Sequence, residues 1–396
     1  MQPDLSRLDE LLADRGVDGY LIDADATVSD QRYLSGFDAP DPFVTLYDGE
    51  LHLLVSSLEY GRARTESRAD DVARRADFDY RAKREEYGPD EADHRVLAEF
   101  LADRGVDSVL TPSRFPLAPA DGLQELGVGV SAETDDVVTE IRATKTGEEI
   151  EHVRTAQRAN ERAMARAEEL LREASVEAGE NGDVLVDGGE TLTSERVRRE
   201  IEMELLRHDH ALDETIVACG ADAADPHDRG SGPLRPDEPI IVDIFPRGKE
   251  SKYHADMTRT FVRGDPSDAI AEWYDLTVEA MEAALDAVEP GATGEEVHAA
   301  ACDVYEAAGE PTLRSDEATE TGFIHSTGHG VGLDVHEQPS IAPGGERLRP
   351  GHVITIEPGV YDPDHGGVRV EDLVVVTEEG HENLTGYPKE LVVGGR

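Results

Sequence analysis

The chain has 396 residues, enough for two hydrophobic cores. With 38 Lys+Arg against 87 Asp+Glu its formal charge is −49, spread along the whole length without a basic face, which argues against nucleic acid and anionic membranes as partners. Such a chain repels itself in dilute buffer, so stability and activity are expected to need molar salt, which shortens the range of that repulsion to about 3 Å, as in a salt-adapted cytoplasm.

In chain order, MQPDLSRLDELLADRG reads as an acidic amphipathic helix over about 4 to 15. It has no basic start followed by an apolar core, so it does not read as a signal peptide, and no apolar run further on is long enough for a transmembrane helix. The two cysteines, Cys219 and Cys302, lie far apart, which points to a reducing cytoplasm without structural disulfides. Both are expected to be small buried residues, with a reactive thiol at Cys219 the alternative. Strands at VDGYLID and LHLLV, a helix near 90 to 104 and a strand at VDSVLTP complete an α/β unit, residues 1–138, that carries no evident chemistry.

Residues 139–150 read as a linker, after which ANERAMARAEELLREA repeats alanine and leucine at helical spacing and opens the second domain, 151–396. Helices are expected to about residue 208, interrupted by an acidic glycine-rich loop at EAGENGDVLVDGGE. Strands follow at DETIVACG, PIIVDIF and MTRTFV, then two helices around EPGATGEE, then strands at HVITIEPGV and VRVEDLVVV. Helices and strands thus come in two similar courses, with no legible sequence repeat between them.

Charged residues interrupt several of these apolar strands. Asp243 breaks PIIVDIF, where a carboxylate is costly unless paired or bound to a metal; a strand-end turn cap is the alternative. Asp256 opens DMTRTF, where alternation puts Asp256, Thr258 and Thr260 on one face, the hydroxyls available to support ligands. FIHSTGHGVGLDVHE holds His325, His329 and His336 among glycines that let backbone approach a ligand closely. Glu357 ends HVITIEPGVY, and in GGVRVEDLVVV alternation puts Arg369 and Glu371 together; a surface ion pair is the competing reading there. Four carboxylates and one imidazole in such settings suit a pair of hard-to-borderline divalent metals.

Together these segments resemble the pita-bread metallopeptidases: proline dipeptidases, proline-specific aminopeptidases and methionine aminopeptidases. Residues from about 150 onward resemble the catalytic domain. Residues 1 to about 138, including DQRYLSGFDAP, resemble the smaller α/β domain, creatinase/prolidase-like, that proline-specific members carry. The resemblance implies an α/β (α+β) fold of those two domains and a homodimer.

It also implies that Asp243, Asp256, His329, Glu357 and Glu371 are the ligands of two divalent ions. Asp256 and Glu371 would bridge both, Asp243 would complete one ion, and His329 and Glu357 the other. His227 in GADAADPH, His336 in GLDVHE and Arg369 in GVRVED fall on positions that bind substrate or support catalysis, and His325 on an accessory one. The ions are expected to be Mn²⁺ or Co²⁺, with Zn²⁺ or Fe²⁺ as alternatives.

The implied activity is cleavage of the Xaa-Pro bond, in dipeptides or peptides with proline second, by hydroxide formed from water at the metal pair. Glu357 would relay the proton, and His336 would help stabilise the oxyanion. Two other readings stand beside it: metal-dependent hydrolysis of a small non-peptide amide or amidine, ectoine- or creatine-like, and a non-catalytic pita-bread binding module. The chain departs from the family in one place. Ile244, Phe245 and Pro246 follow Asp243 where members commonly show Gly two residues on, and RGKESK lengthens the interval to Asp256.

Overall fold

A computed structural model describes residues 3–395 and divides into two compact units, Met1–Arg142 and Ala143–Arg396. The first is built on a six-stranded sheet of β1 (Gly19–Ala24), β2 (Phe43–Tyr47), β3 (Leu51–Val55), β4 (Asp71–Arg74), β5 (Ser108–Thr111) and β6 (Gly129–Ala132), ordered β4-β3-β2-β1-β5-β6. Alternation along the strands sends Val44, Leu46 and Leu54 to a core with helix Pro89–Ala102, and Phe43, Leu53 and Val55 to a second core with Phe37. The N-terminal helix spans Ser6–Arg15 and buries Leu8 and Leu12.

The stretch expected as a linker, 139–150, holds the end of helix Val137–Ala143 and the start of helix Gly147–Glu173. Thr146 starts the long helix with a reciprocal cap: its hydroxyl accepts from the Glu149 amide, and the Glu149 carboxylate accepts from the Thr146 amide at 2.7 Å. The acidic glycine-rich segment expected to be a loop is instead a β-meander of β7 (Ser175–Gly179), β8 (Gly182–Asp187) and β9 (Glu190–Thr191). Its glycines sit at the turns, with Gly182, Gly188 and Gly189 at positive φ, and Leu185 and Val186 of β8 are buried. The abundance of Gly and acid masked that short apolar signal.

The rest of this unit repeats one construction twice. Helices Gly147–Glu173 and Ser194–Arg207 back a three-stranded antiparallel sheet of β11 (Thr215–Cys219), β12 (Ile240–Ile244) and β14 (Met257–Phe261), with β12 central; β10 (His210–Ala211) and β13 (Arg247–Gly248) form a small pair beside it in sequence. Helices Asp268–Asp286 and Gly294–Ala308 belong to the second course, whose sheet contains β15 (Gly328–Gly330), β16 (Glu337–Ile341), β17 (Val353–Ile356), β20 (Asp372–Thr377) and β21 (Gly380–Asn383), while β18 (Gly359–Asp362) pairs with β19 (Gly366–Arg369).

Strand parity decides what each sheet offers. On β12, Ile240, Val242 and Ile244 enter the helix-backed core, leaving Ile241 and Asp243 on the other face. On β14, Met257 and Phe261 enter that core and Thr258 and Thr260 turn away; on β17, Ile354 and Ile356 pack inward and Thr355 turns away. Neither cysteine is a ready nucleophile: burial pushes the Cys219 thiol up to about 12 and the Cys302 thiol up to about 11. Among the described residues no helix is long and apolar enough to cross a membrane.

Candidate metal centre

The faces turned away from the helices meet in a cleft of about 910 Å³, and all nine predicted site residues line it: His227, Asp243, Asp256, His325, His329, His336, Glu357, Arg369 and Glu371. Asp243 comes from β12, Asp256 from the turn into β14, His329 from β15, Glu357 from the residue after β17, and Glu371 from the break between β19 and β20. Asp243 is 9%, Asp256 4% and Glu371 1% exposed, so the surface ion-pair reading of Arg369 and Glu371 does not hold.

Backbone bonds set the spacing. The Glu371 amide donates to Thr258 O at 3.1 Å, joining the break between β19 and β20 to β14, and the Glu357 amide donates to Thr327 O at 2.7 Å. Gly328, beside His329, sits where an added Cβ would lie 2.0 Å from Thr355 O, so the segment carrying the histidine cannot hold a larger residue there. One ligand atom each from Asp256, His329 and Glu371 falls within 4.8 Å of the others, and His329 Nε2 stands 3.3 Å from Glu357 Oε1 and 3.8 Å from Asp256 Oδ2.

Hydrogen bonds fix the state of each group. His329 Nδ1 lies 3.1 Å from Gly330 O, where it must donate, and burial holds the ring below its ordinary pKa, so Nε2 presents a lone pair to two carboxylates. Lone pairs aimed at one another are unfavourable unless a cation stands among them. Thr258 Oγ1 donates to Glu371 Oε2 at 2.7 Å and Thr355 Oγ1 to Glu357 Oε1 at 3.2 Å, whereas Asp243 Oδ1 and Glu371 Oε1 are buried without a hydrogen-bond partner. Burial first, and then mutual repulsion, drives Asp256 and Glu371 well above the usual carboxylate range, and burial pushes Glu357 up to about 7. Bound divalent cations would reverse each of those shifts. Oxygen-rich donors, one neutral imidazole with its other nitrogen tied to a carbonyl, and orphaned carboxylate oxygens all fit such ions.

Arg369 is 3% exposed and braces one side of the cluster. Its Nη2 donates to Asp243 Oδ2 at 2.6 Å, its Nη1 to Tyr361 Oη at 2.9 Å, and its Nε to Thr258 Oγ1 at 3.2 Å. Tyr361 Oη also lies 3.0 Å from His325 Nε2, and His325 Nδ1 lies 2.7 Å from Ser326 O. Burial pushes His325 down to about 3, so it is neutral and the chain of bonds runs one way: Arg369 to Tyr361, Tyr361 to His325, His325 to the main chain. His336 stacks edge-on against His329 with ring centroids 4.2 Å apart, and His227 projects from an exposed loop.

Sequence reasoning missed Tyr361, which lies inside the short strand β18 and carries no polar pattern of its own. It also passed over Arg229 and Glu214, which line the cleft from flanking segments; Phe245, noted as part of the departure after Asp243, lies on the same lining.

Residues 151–378 match the metallopeptidase family M24, and residues 5–144 match the creatinase/prolidase N-terminal domain. A probable dipeptidase PepE of Mycobacterium tuberculosis is 37% identical over 295 residues, 74% of this chain and 70% of its own length. An Xaa-Pro dipeptidase of Pyrococcus horikoshii is 28% identical over 396 residues, 99% of both chains. Among solved structures, an X-Pro aminopeptidase from Thermotoga maritima superposes with a TM-score of 0.78 at 25% identity, covering 98% of this chain and 99% of that one.

Proposed function

The chain belongs to metallopeptidase family M24, and from that premise we propose that it is a two-metal exopeptidase cleaving the Xaa-Pro bond of dipeptides or peptide N-termini. The observation that carries the reading is the set of four carboxylates around a neutral histidine, whose mutual repulsion and orphaned oxygens bound cations would relieve. Similarity to Xaa-Pro dipeptidases across both domains supports proline as the residue after the scissile bond. The amide or amidine alternative draws no support from these relatives.

In this reading Asp243, Asp256, His329, Glu357 and Glu371 would hold the two ions. When bound, the ions act as Lewis acids that lower the pKa of water from 15.7 towards about 7 and polarise the scissile carbonyl. The residues do the rest. Glu357 takes the proton of the nucleophile and returns it to the proline nitrogen, which must be protonated to leave. His336 offers an N–H to the carbonyl oxygen as its charge develops, and His227 holds the substrate from the rim. Arg369 orients Asp243 through the 2.6 Å bond, and is itself fixed by Tyr361.

Manganese or cobalt is the proposed metal. A homodimer working in a salty cytoplasm is the proposed setting, the salt requirement supported by the charge of −49. Chelator-treated protein reconstituted with Mn²⁺ or Co²⁺ in molar KCl should split Ala-Pro into alanine and proline, or Ala-Pro-Ala into alanine and Pro-Ala, and leave ectoine untouched. Turnover of neither peptide sinks the proposal.

A further inference from the structure

Two arginines, and no lysine, are among the residues lining the cleft: Arg369 and Arg229. The head group of Arg369 is committed to Asp243, Tyr361, Thr258 and Pro226 O. Arg229 is its opposite, with a fixed backbone and a head group held by a single exposed ion pair. Its carbonyl accepts from the Val217 amide at 3.1 Å, so the loop runs alongside β11. At Gly230, φ is +71° and an added Cβ would lie 1.9 Å from Val217 O, so only glycine lets the chain pass this close. Val217 pairs with Val242, the neighbour of Asp243, so with strands about 4.8 Å apart the Arg229 backbone stands roughly 10 Å from the strand carrying that ligand. The Arg229 side chain, however, is 55% exposed and pairs with Glu214, itself 54% exposed. An ion pair between two half-exposed groups is worth little, so either partner is readily exchanged for a ligand.

The peptidase reading above, on which this inference rests, leaves open what the far end of the substrate meets. In an Xaa-Pro dipeptide the residue behind the scissile bond ends in a carboxylate; in a longer peptide it continues as a neutral amide. The lining is otherwise rich in acid, including Glu214 and Asp225 beside the cluster. We infer that Arg229 receives the C-terminal carboxylate of the substrate and so makes the chain a dipeptidase by preference. The guanidinium leaves Glu214 and forks onto the substrate carboxylate, and Glu214 is the internal competitor that holds it in the meantime.

The test uses the full, metal-loaded chain at the lowest KCl that keeps it folded, since salt weakens exposed ion pairs. Wild type, R229Q, R229K and E214Q are assayed on Ala-Pro, its C-terminal amide and Ala-Pro-Ala, with thermal unfolding to check folding. Wild type should favour the acid over the amide by about tenfold or more in kcat/KM, expressed in KM. That ratio should collapse towards one in R229Q and partly return in R229K. E214Q should instead lower KM for Ala-Pro, and this opposite sign is what a merely structural pair would not give. Equal turnover of acid and amide by wild type, equal loss of both in R229Q, or a raised KM in E214Q overturns the assignment while leaving the peptidase reading intact. Turnover of none of the three peptides by wild type overturns both.

Discussion

Glu371 and Asp372 are neighbours in the chain, 1% and 0% exposed, and belong to two different electrostatic worlds. Asp372 faces the knot made by Arg259: Oδ1 accepts from Arg259 Nη2 at 2.8 Å, and Oδ2 accepts from Asn383 at 2.7 Å and Lys389 at 2.6 Å. Arg259, fully buried, spends its remaining donors on the carbonyls of Thr258, Glu371, Tyr387 and Pro388. Glu371, pointing the other way along the same backbone, has one hydroxyl partner, one orphaned oxygen and acidic neighbours. The first carboxylate is neutralised from within the fold, and the second is left for a ligand. Burial of charge is therefore no sign of function by itself; the missing partner is.

Substitutions should separate the two worlds. E371Q keeps the shape and an acceptor for Thr258 but removes a metal-binding oxygen, so proline release should fall by more than about a thousandfold. The same variant, unfolded by urea in chelator, should be no less stable than wild type, because a repelled carboxylate has been replaced by a neutral amide. R259M should do the reverse in kind. It leaves Asp372 buried with Asn383 and, as its one cation, a flexible lysine, and strips four carbonyls of a donor, so it should lose about 3–5 kcal/mol of stability with or without metal. Comparable destabilisation of metal-free protein by both variants would erase the distinction. Between these extremes lies Y361F, which removes only the hydroxyl joining Arg369 to His325; metal affinity measured by competition with a chelator should drop about 10–100-fold while the fold survives.

Much of this was legible in the sequence, and the gaps have physical causes. Asp243, Asp256, Glu357 and Glu371 announced themselves because a carboxylate in an apolar strand needs a reason, and period-two alternation said which way Asp256, Thr258 and Thr260 would face. Glycines around His329 signalled close backbone approach, now seen at Gly328. The β-meander at 175–191 was hidden because its strands are short, mostly exposed and rich in Gly and acid. Tyr361 was invisible since its role depends on a hydroxyl reaching residues 36 positions before and 8 after it. Arg229 lacked any pattern, being placed by a close contact at Gly230 that only the folded backbone shows.

The last expected effect, a slope with pH, is also the most direct reading of the unpartnered cluster. Burial raises Glu357 from its ordinary 4.5 to about 7, and Asp256 and Glu371 shift the same way. A carboxyl whose folded pKa lies above its unfolded value keeps a proton that the unfolded chain has already released, so metal-free stability must fall as pH rises across that interval. Its contribution is intact below about 4.5 and gone above about 7. Glutamine at 357 cannot titrate, so E357Q and wild type should unfold alike in chelator near the acid end, and E357Q should become progressively the more stable as neutrality is approached. Adding Mn²⁺ should invert the trend for wild type, because the ions displace those protons and bind more tightly as pH rises. A flat difference between E357Q and wild type in chelator, followed by equilibrium urea unfolding across the interval, would mean that the cluster relieves its repulsion by some internal partner, as Asp372 does, and that the contrast between the two carboxylates does not exist.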